Sequence, residues 1–485
     1  MNVLVTGGTG VIGEGVIPEL IARGHHVRLL SRHADEDAQE WDGVEPFRGD
    51  IGDPQSIRGA ADGIDVVMHI AGIVAEDPPE VTFESVNVGG TRNMLREALR
   101  GGAKRFVFVS SLGADIGQSD YHRSKREAEA LVKNTPLPWV IVRPGNVYGP
   151  GDEVISTILK LVRALPAIPT IDDGRQQFQP IWHEDLARIL AAVAEREELR
   201  EEILEAAGAD VTNMRELVEK FGEITGRSPV RIPVPLPLAQ WTSRLASMLV
   251  EFPVDDNKLT MLEEQNVVRN RDAAQLLGIP TMPLDEGLRK LADALKEALP
   301  EEGFGSLQHK TFFADIRGSR QHAASLMTHF REHVNDFMAI EFVAEPGAPD
   351  RIEQGATMTG SLPLRGNFQV RVEVAEPTHI VLATIEGHPL SGIVEFRAQE
   401  HDGALRFSIE TWTRASNVLD WLAVRTVGAA AQDANWRKVI ERIIEVSGGT
   451  AAGVQQEKET LSDEEAARVE ERVRNLVRER KRGER

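Results

Sequence analysis

A tyrosine and a lysine stand four positions apart in the stretch YHRSK, which begins at Tyr121 and ends at Lys125. On a helix this spacing puts the phenol and the ammonium group on one face. A nearby ammonium lowers the pKa of a tyrosine, so the phenol can exchange a proton with a carbonyl or alcohol oxygen near neutral pH. Ser111, at the end of a preceding predicted strand, is placed to hold that oxygen. We therefore predict that these three residues catalyse a carbonyl/alcohol conversion.

A glycine-rich turn near the start of the chain has the pattern of a dinucleotide-binding fingerprint. The stretch LVTGGTGVIG, residues 4–13, places Gly7, Gly10 and Gly13 between a short apolar run and a segment with apolar residues at helical spacing. In such a strand, turn and helix, the glycines let the backbone approach a pyrophosphate, whose charge lies at the positive helix N-terminus. The sequence therefore predicts a dinucleotide site at this turn.

The end of the next predicted strand, LLSR, indicates which dinucleotide is bound. An acidic residue at this point accepts hydrogen bonds from the ribose hydroxyls of NAD, whereas Ser31 and Arg32 can donate to a 2′-phosphate. We therefore expect NADP(H) as the cofactor. The alternative is that Arg32 is a surface arginine that contacts only solvent.

Residues at further strand ends complete the predicted cofactor site. The carboxylate of Asp50 is placed to accept from the adenine amino group, and small residues after the fourth strand allow close backbone approach. The cofactor-binding residues that we predict are Gly7, Thr9, Gly10, Val11, Ile12, Gly13, Ser31, Arg32, Asp50, Ile51, Ile70, Ala71, Gly72, Tyr121, Lys125, Pro144 and Val147.

Several segments, standing in one order, carry a resemblance to a known family. They read TGGTGVIG, GDIGD, HIAG, NVGGTRN, SSLGAD, YHRSK, RPGNVYGPGD and PIWHEDLA. Residues 1–298, about three fifths of the chain, resemble the extended or atypical branch of the short-chain dehydrogenase/reductase superfamily, the NAD-dependent epimerase/dehydratase-like proteins. The resemblance implies that Ser111, Tyr121 and Lys125 are the catalytic triad. It also implies that Asn87 belongs to the catalytic site, as the asparagine of the family's Asn-x-x-Gly-Thr segment.

Within that superfamily, SSLGADIGQSDYHRSK and LTMLEEQNVV are most similar to relatives of the NADPH-binding accessory subunit of respiratory complex I, whose nucleotide is thought to serve structure. Nine residues separate Ser111 from Tyr121, whereas sugar-nucleotide epimerases have a longer, substrate-contacting loop there. Two hypotheses follow. The protein is an NADPH-dependent oxidoreductase acting on a small or apolar carbonyl compound, or it is a non-catalytic NADP(H)-binding structural, assembly or redox-sensing protein.

The spacing of apolar residues predicts an α/β protein with two domains and a tail. Over the first 150 residues, strands alternate with amphipathic helices, which is typical of a Rossmann-type, doubly wound parallel sheet; residues 151–298 add a small substrate-side subdomain. Residues 304–447 alternate as strands before a long helix, which predicts an α+β domain. That domain resembles the helix-grip fold of START and birch-allergen-like proteins, whose interior holds either an apolar ligand or a filled core. We expect residues 448–485 to form a flexible linker and a charged helical tail.

Composition restricts the partners that we expect. A net charge of −21 repels phosphate backbones, so no nucleic-acid partner is predicted, and the absence of cysteine excludes disulfides and thiolate chemistry. The His-x-x-Glu-His pattern from His329 to His333 lacks a predicted third ligand, so we expect no metal. We expect a cytoplasmic location, a small-molecule substrate and, on the second hypothesis, a protein partner. Residues 232–252, rich in Leu and Met, are interpreted as a pocket cover rather than a membrane-surface helix.

Overall fold

The computed structural model describes residues 1–171, 173–234, 266–338, 340, 342–362, 366–417, 420–421 and 429–484. The predicted pocket cover, residues 232–252, therefore lies almost entirely outside the described residues. Within the described ranges, no helix is both long enough and apolar enough to cross a lipid bilayer.

The first part of the chain alternates strands and helices. Its strands are β1 (Asn2–Thr6), β2 (His26–Ser31), β3 (Glu45–Arg48), β4 (Val66–His69), β5 (Arg105–Val109), β6 (Trp139–Pro144), β7 (Val147–Tyr148), β8 (Ala167–Ile171), β9 (Gln177–Phe178), β10 (Ile181–Trp182), β11 (Glu202–Ala206), β12 (Thr212–Asn213) and β13 (Val230–Val234). Its helices are α1 (Val11–Ala22), α2 (Ala34–Asp37), α3 (Thr91–Gly101), α4 (Asp120–Lys133), α5 (Ile155–Ala164), α6 (His183–Glu195), α7 (Met214–Thr225), α8 (Ala273–Leu277) and α9 (Leu284–Asp293). A π-helical turn, Glu84–Gly90, leads directly into α3.

Seven parallel strands form the first sheet, in the order β11-β6-β5-β4-β1-β2-β3. Every residue of β5 and β6 is buried, because helices cover both faces of the sheet. Helices α1 and α6 pack on one face, and α3 and α4 pack on the other. The predicted Rossmann-type, doubly wound parallel sheet is confirmed.

A smaller apolar core lies beside this sheet and joins α5, α7 and α9. It buries Leu159, Phe221 and Leu288 together with Tyr148 from β7. Ile385, which lies in the second half of the chain, is also fully buried in this core. The two halves of the protein therefore share apolar packing.

The second half of the chain forms an antiparallel sheet with helices on both faces. Its strands are β14 (Phe304–Ile316), β15 (Thr357–Leu362), β16 (Gly366–Ala375), β17 (His379–Thr384), β18 (Leu390–His401), β19 (Ala404–Ala415) and β20 (Gln455–Thr460). Its helices are α10 (Ala323–Glu332), α11 (Val334–Phe337), α12 (Ala429–Ser447) and α13 (Asp463–Glu484). The strand order is β15-β16-β17-β18-β19-β14-β20, and α10, α11 and α12 pack on the inner face of the sheet. The predicted α+β domain with an antiparallel sheet is confirmed.

Residues 448–485 contain the expected charged helix, but part of the expected flexible linker is a strand. Residues 455–460 pair with β14 as the edge strand β20, although the sequence QQEKET carries no apolar alternation. Helix α13 then packs on the outer face of the sheet through Ala466 and Val473, which lie against Val381, Ile393 and Trp412. The backbone hydrogen bonds of β20 and the apolar face of α13, rather than local composition, decide the structure of this segment.

The segment that connects the halves, residues 295–298, binds both of them. Lys296 Nζ donates to Glu14 in the first turn of α1 over 2.6 Å. Ala298 N donates to Thr384 O of β17 over 2.7 Å. Between them, Glu297 accepts from Arg480 of α13, from Nη2 to Oε1, over 2.6 Å.

Arg480 is buried between two carboxylates. Its Nε donates to Glu373 of β16 over 2.8 Å, while its Nη2 donates to Glu297. Burial raises the pKa of Glu373 to about 7 despite the attraction of Arg480, and the charge on Glu297 also raises it. For Glu297, burial raises the pKa, but the charges on Lys481, Arg480 and Arg371 outweigh it and lower the pKa. Arg480 therefore holds one carboxylate that is charged at neutral pH and one that titrates there.

The contribution of Glu373 to the stability of the protein should fall as pH rises from about 4.5 to about 7. The folded-state pKa of Glu373 lies above its ordinary value of 4.5, so in this window the folded state binds more protons than the unfolded state. We expect Glu373→Gln to remove a slope of at most about 1.4 kcal/mol per pH unit. Urea unfolding at pH 5, 6 and 7 measures this slope. Glu376→Gln, at an exposed position near the same strand, serves as the control. An unchanged slope in Glu373→Gln would contradict the assignment.

Candidate functional site

The carboxyl ends of β1, β4 and β5 meet at one edge of the first sheet. In doubly wound folds, ligands bind at this edge. The glycine turn follows β1, the segment Ile70-Ala71-Gly72 follows β4, and Ser111 follows β5. The topology thus brings together the cofactor residues and the catalytic residues that the sequence predicts.

The glycine turn packs so tightly that side chains are excluded at two of the three fingerprint glycines, Gly7 and Gly13. Gly7 has a φ of +72°, and a Cβ at this position would lie 2.7 Å from Ala71 N. A Cβ at Gly13 would lie 2.3 Å from Gly8 Cα. At Gly10 the nearest atom would be 3.6 Å away, so this glycine is not required by the packing of the chain.

The start of α1 is suited to an anion. Gly10 is the N-cap residue, and in the described chain no side chain caps this end of the helix. Thr9 and Gly10 are exposed, and Val11 and Ile12 are half-buried. Because the first N–H groups of a helix have no partner within it, they can donate to a phosphate. The turn fits the pyrophosphate of a dinucleotide.

Gly72 lies between the predicted cofactor segment and two of the predicted catalytic residues. A Cβ at Gly72 would lie 3.1 Å from Lys125 Nζ and 3.1 Å from Asn87 Oδ1. A larger residue at this position would therefore press on both side chains. Ile70 is buried and Ala71 is half-buried beside it.

Ser111, Tyr121 and Lys125 are buried together beneath this edge. The N-cap Ser119 starts α4 by accepting from His122 N, which places Tyr121 and Lys125 in successive turns of the helix. The side chain of Ser111 acts on the phenol of Tyr121 and partly lowers its pKa, while Ser111 Oγ donates to Leu112 O over 3.3 Å. Lys125 Nζ donates to Val109 O over 3.1 Å.

The electrostatics of the pair differ from our expectation. Burial raises the pKa of Tyr121, and the contact that partly lowers it comes from Ser111 rather than from Lys125. Burial also lowers the pKa of Lys125 to about 8, although the charge on Glu129 partly opposes this shift. Desolvation therefore decides both shifts, and the predicted lowering of the tyrosine pKa by the lysine is not seen.

Asn87 holds the loop after β4 against α4. Its Oδ1 accepts from Ile73 N over 2.8 Å, and its Nδ2 donates to Ser124 Oγ over 2.9 Å. Ser124 Oγ in turn donates to Tyr121 O over 2.7 Å. Asn87 thus contacts the backbone and side chains that frame the site, rather than the phenol itself.

Two predicted positions beside the nucleotide turn have other contacts. Ser31 Oγ donates to the carboxylate of Asp37 in α2, and Asp50 Oδ1 accepts from Gly52 N over 2.8 Å. Arg32 is exposed.

The remaining predicted positions lie close to strand ends. Ile51 is buried beside Gly90, and a Cβ added at Gly90 would lie 2.6 Å from the Cδ1 of Ile51. Pro144 ends β6, and its carbonyl accepts from Leu112 N over 2.7 Å. Val147 is half-buried in β7.

Sequence reasoning assigned no role to His69, which joins three elements. Its Nδ1 lies 2.7 Å from Thr6 Oγ1 and its Nε2 lies 3.1 Å from Thr91 Oγ1. Burial, assisted by the charge on Lys125, lowers the pKa of His69 to about 3, so the imidazole is neutral. The HIAG segment pointed to this histidine, but its partners are distant in sequence.

Sequence reasoning also missed a buried ion pair beneath the site. Glu129 of α4 accepts from Arg143 Nε over 2.8 Å and from Arg143 Nη2 over 2.7 Å. Glu129 also accepts from Ser110 Oγ over 2.7 Å. The position of Glu129, one turn after Lys125 on the same helix face, was the available signal.

Two protein families match the chain. The NAD dependent epimerase/dehydratase family matches residues 3–207, and a domain of unknown function (DUF1990) matches residues 290–442. The second match begins before the antiparallel sheet does and includes the connecting segment, residues 295–298.

Three relatives show the range of this family. A ceramide reductase from Caulobacter vibrioides is 32% identical over 238 residues, which cover 48% of this chain and 74% of that protein. A UDP-glucose 4-epimerase from Vibrio cholerae is 24% identical over 324 residues, covering 61% of this chain and 96% of that protein. The mitochondrial NADH dehydrogenase [ubiquinone] 1 alpha subcomplex subunit 9 of Arabidopsis thaliana is 26% identical over 276 residues, covering 54% of this chain and 68% of that protein.

The chain belongs to the NAD dependent epimerase/dehydratase family. Its first domain is that of an NAD(P)-dependent enzyme of the oxidoreductase or epimerase type. The predicted similarity to the complex I accessory subunit is confirmed.

Alanine substitutions at Gly13 and Gly10 should differ in their effect on the stability of the protein. Gly13→Ala should destabilise the protein by about 1–3 kcal/mol, because its methyl group would overlap Gly8 and Gly7. Gly10→Ala, the matched control, should cost less than about 1 kcal/mol, since only a helix N-cap residue changes. Thermal unfolding of both variants measures the difference. Equal losses of stability would contradict the packing described for the turn.

Proposed function

We propose that the protein is an NADP(H)-dependent oxidoreductase that reduces an apolar carbonyl compound or oxidises the matching alcohol. The observation that carries the proposal is the buried group Ser111, Tyr121 and Lys125, placed beside Gly72 at the edge where the glycine turn lies. A nucleotide that served structure alone would not need a buried serine and a buried tyrosine together at this position.

The three side chains have complementary parts in the proposed reaction. Bound NADPH supplies the hydride. The phenol of Tyr121 donates its proton to the carbonyl oxygen as that oxygen gains negative charge. Ser111 orients the same oxygen through its hydroxyl, and its effect on Tyr121 favours the phenolate that remains. Lys125 binds the nicotinamide ribose of the cofactor.

An apolar substrate is supported by two observations. The relative from Caulobacter vibrioides is described as a ceramide reductase, and a ceramide is a lipid. Only nine residues separate Ser111 from Tyr121, which leaves little chain to contact a sugar nucleotide. The relative from Vibrio cholerae, a UDP-glucose 4-epimerase, represents the substrate class that this short connection disfavours.

Replacing Tyr121 by Phe should abolish turnover without weakening the binding of NADPH. We expect a loss of at least about 100-fold, because the proton donor is removed while the ring still packs. NADPH oxidation, followed by absorbance against long-chain aldehydes, ketones and quinones, measures the effect. Tyr148→Phe, which changes the chain's other tyrosine in a separate core, is the matched control. Retained turnover in Tyr121→Phe would contradict the mechanism.

The preference for NADP(H) rests on two arginines at the ends of β2 and β3. Arg32 follows β2, and Arg48 is the register partner of Ser31 on β3. Both side chains are exposed, and within the described residues neither side chain has a hydrogen bond or an ion pair. They can therefore bind a 2′-phosphate. Asp37, which accepts from Ser31, opposes this preference because its carboxylate repels a phosphate and suits a ribose hydroxyl.

The nucleotide preference can be measured by titration. Arg32→Ala should weaken NADPH by ~1.5–3 kcal/mol, the usual range for a hydrogen bond to a charged group, and should leave NADH almost unchanged. Asp37→Asn should tighten NADPH relative to NADH. Fluorescence titration of both nucleotides against both variants gives the four ratios. Unchanged NADPH affinity in Arg32→Ala would exclude the 2′-phosphate role.

A second function is favoured by the hydrogen bond that Lys125 makes to the backbone. Lys125 Nζ is bound to Val109 O, and burial raises rather than lowers the pKa of Tyr121. Together with the similarity to a complex I subunit, this supports a non-catalytic NADP(H)-binding protein with a structural, assembly or redox-sensing role and a protein partner. Tight NADPH binding with no oxidation against the whole panel would favour this function.

The inner face of the second domain favours a filled core over a lipid cavity. Phe330 packs against Phe337, Phe396 and Phe407 with ring centroids 5.0–6.0 Å apart. Trp436 of α12 adds a further contact to Phe396 at 5.9 Å. We therefore propose that this domain serves as a scaffold for the first domain or for a partner.

A further inference from the structure

The segment that follows β2 concentrates negative charge beside the nucleotide site. Residues 34–40, which form α2 and the short turn after it, read ADEDAQE and contain four carboxylates. Asp37 accepts a hydrogen bond from Ser31 at the end of β2, where doubly wound folds bind the adenosine ribose of a dinucleotide. A 2′-phosphate adds about two negative charges to that ribose near neutral pH, so these carboxylates disfavour it.

The last turns of α13 contact this acidic segment from the other end of the chain. Arg478 Nε donates to Glu40 Oε1 over 3.1 Å, and Arg482 Nη2 donates to Gln39 O over 2.7 Å. About a fifth of the Arg478 side chain and a third of the Glu40 side chain are exposed, at 22% and 34%, so water shields this ion pair only in part. Two positive charges are thus held against the segment by residues that follow it by 438 and 443 positions.

The position of α13 does not depend on these two contacts. Its apolar face packs on the outer sheet through Val473, which is buried against that sheet. Arg480 is anchored between Glu297 and Glu373, and Lys481 Nζ lies 3.5 Å from Glu297 Oε2. Replacing Arg478 or Arg482 therefore removes charge from the segment after β2 while the helix stays docked.

The contact belongs to one face of the helix. Arg474, Arg478 and Arg482 stand four positions apart, which places them on the same face in successive turns. Arg474 donates from its Nε to Glu301 over 3.0 Å, in the turn that precedes β14. The row therefore offers a matched pair of arginines, one directed at the acidic segment and one directed at the second domain.

We propose that Arg478 and Arg482 of α13 are specificity-determining residues for the nucleotide, because they offset the carboxylates beside the ribose and so admit a 2′-phosphate. They act through the segment 34–40 and do not touch the nucleotide, so they are positioning residues. This role rests on the proposed binding of NADP(H) at the glycine turn. It also gives the charged tail helix a task in the first domain, although α13 follows the second domain in the chain.

Two kinds of cation then have different tasks at this end of the site. Arg32 and Arg48, at the ends of β2 and β3, can bind the phosphate directly. The pair in α13 instead reduces the repulsion that opposes the phosphate. Salt screens such an indirect interaction, with a screening length of about 30 Å at 0.01 M and about 8 Å at 0.15 M. The effect of α13 should therefore weaken as salt is added, which a purely structural role would not do.

Fluorescence titration of the full-length protein with NADPH and with NADH measures this effect. We expect Arg478→Gln to lower the ratio of NADPH affinity to NADH affinity by about 3-fold relative to the parent at about 0.01 M salt. At about 0.15 M salt the same ratio should fall by less than about 1.5-fold. NADH affinity itself should change little, because the 2′-hydroxyl of its ribose carries no charge.

Three further variants separate charge from folding. Arg474→Gln removes the same charge from the same helix face and should leave the ratio within about 1.5-fold of the parent. Arg478→Lys keeps the charge and should also leave it within about 1.5-fold. Glu40→Gln added to Arg478→Gln removes both charges of the pair, so it should restore the ratio to the same range. Far-UV circular dichroism verifies that each variant is folded.

The outcomes are distinct from those that test the proposed function. A parent-like ratio in Arg478→Gln at low salt, an equal fall in Arg474→Gln, or a fall that salt leaves unchanged would overturn the role of α13. If the parent prefers NADH and Arg478→Gln still lowers the ratio, the preference for NADP(H) falls and the role of α13 stands. If Arg32→Ala weakens NADPH while Arg478→Gln leaves the ratio unchanged, the role of α13 alone falls. Should Arg478→Gln fail to fold, Arg482→Gln decides the question, because Arg482 is exposed and should lower the ratio in the same way.

Discussion

The carboxylate of Glu129 fixes the position of the candidate site within the fold. It is almost fully buried and accepts two hydrogen bonds from Arg143 of β6 and one from Ser110, which adjoins the end of β5. Burial alone would raise its pKa, but Arg143 and Ser110 lower it, so the group stays charged. A buried charge of this kind is tolerated only while its partners remain in place. Helix α4 and the two strand ends are therefore held in one arrangement, which sets Tyr121 and Lys125 opposite Ser111.

What could be predicted from the sequence is what local patterns determine. The glycine turn, the alternation of strands and helices and the spacing of Tyr121 and Lys125 are short-range features, and the first sheet follows from them. The partners of Glu129 and of His69 are set by the topology of the whole sheet, so no local pattern indicated them. Burial, which controls the pKa values of Tyr121 and Lys125, is likewise a property of the folded protein. The polar strand β20 has no apolar alternation that a sequence pattern could detect, because its backbone hydrogen bonds to β14 stabilise it.

The two halves of the protein are connected by more than a linker. The residues after α9 pair with the end of β17, where Ala298 N donates to Thr384 O. Ile385, which follows β17, is buried in the core of the first half. Arg163 of α5 and Glu345 form a buried ion pair across the same boundary, with both hydrogen bonds at 2.9 Å. Exposed domain boundaries with few contacts permit relative motion, whereas shared core and buried charge oppose it. The second domain thus acts as part of the body that holds the nucleotide fold.

Helix α13 has a further consequence for the order in which the chain is made. It is synthesised after the residues that it contacts. These are Trp412 and Glu395 on the outer face of the second sheet, Glu297 in the connecting segment, and Glu40 beside α2. At about 5–20 residues per second, its 22 residues take about 1–4 s to appear. Throughout that interval the outer face of the second sheet is exposed to water, and its carboxylates lack the arginines that α13 contributes. The arrival of α13 then covers the same face with an apolar helix and adds its arginines to these carboxylates.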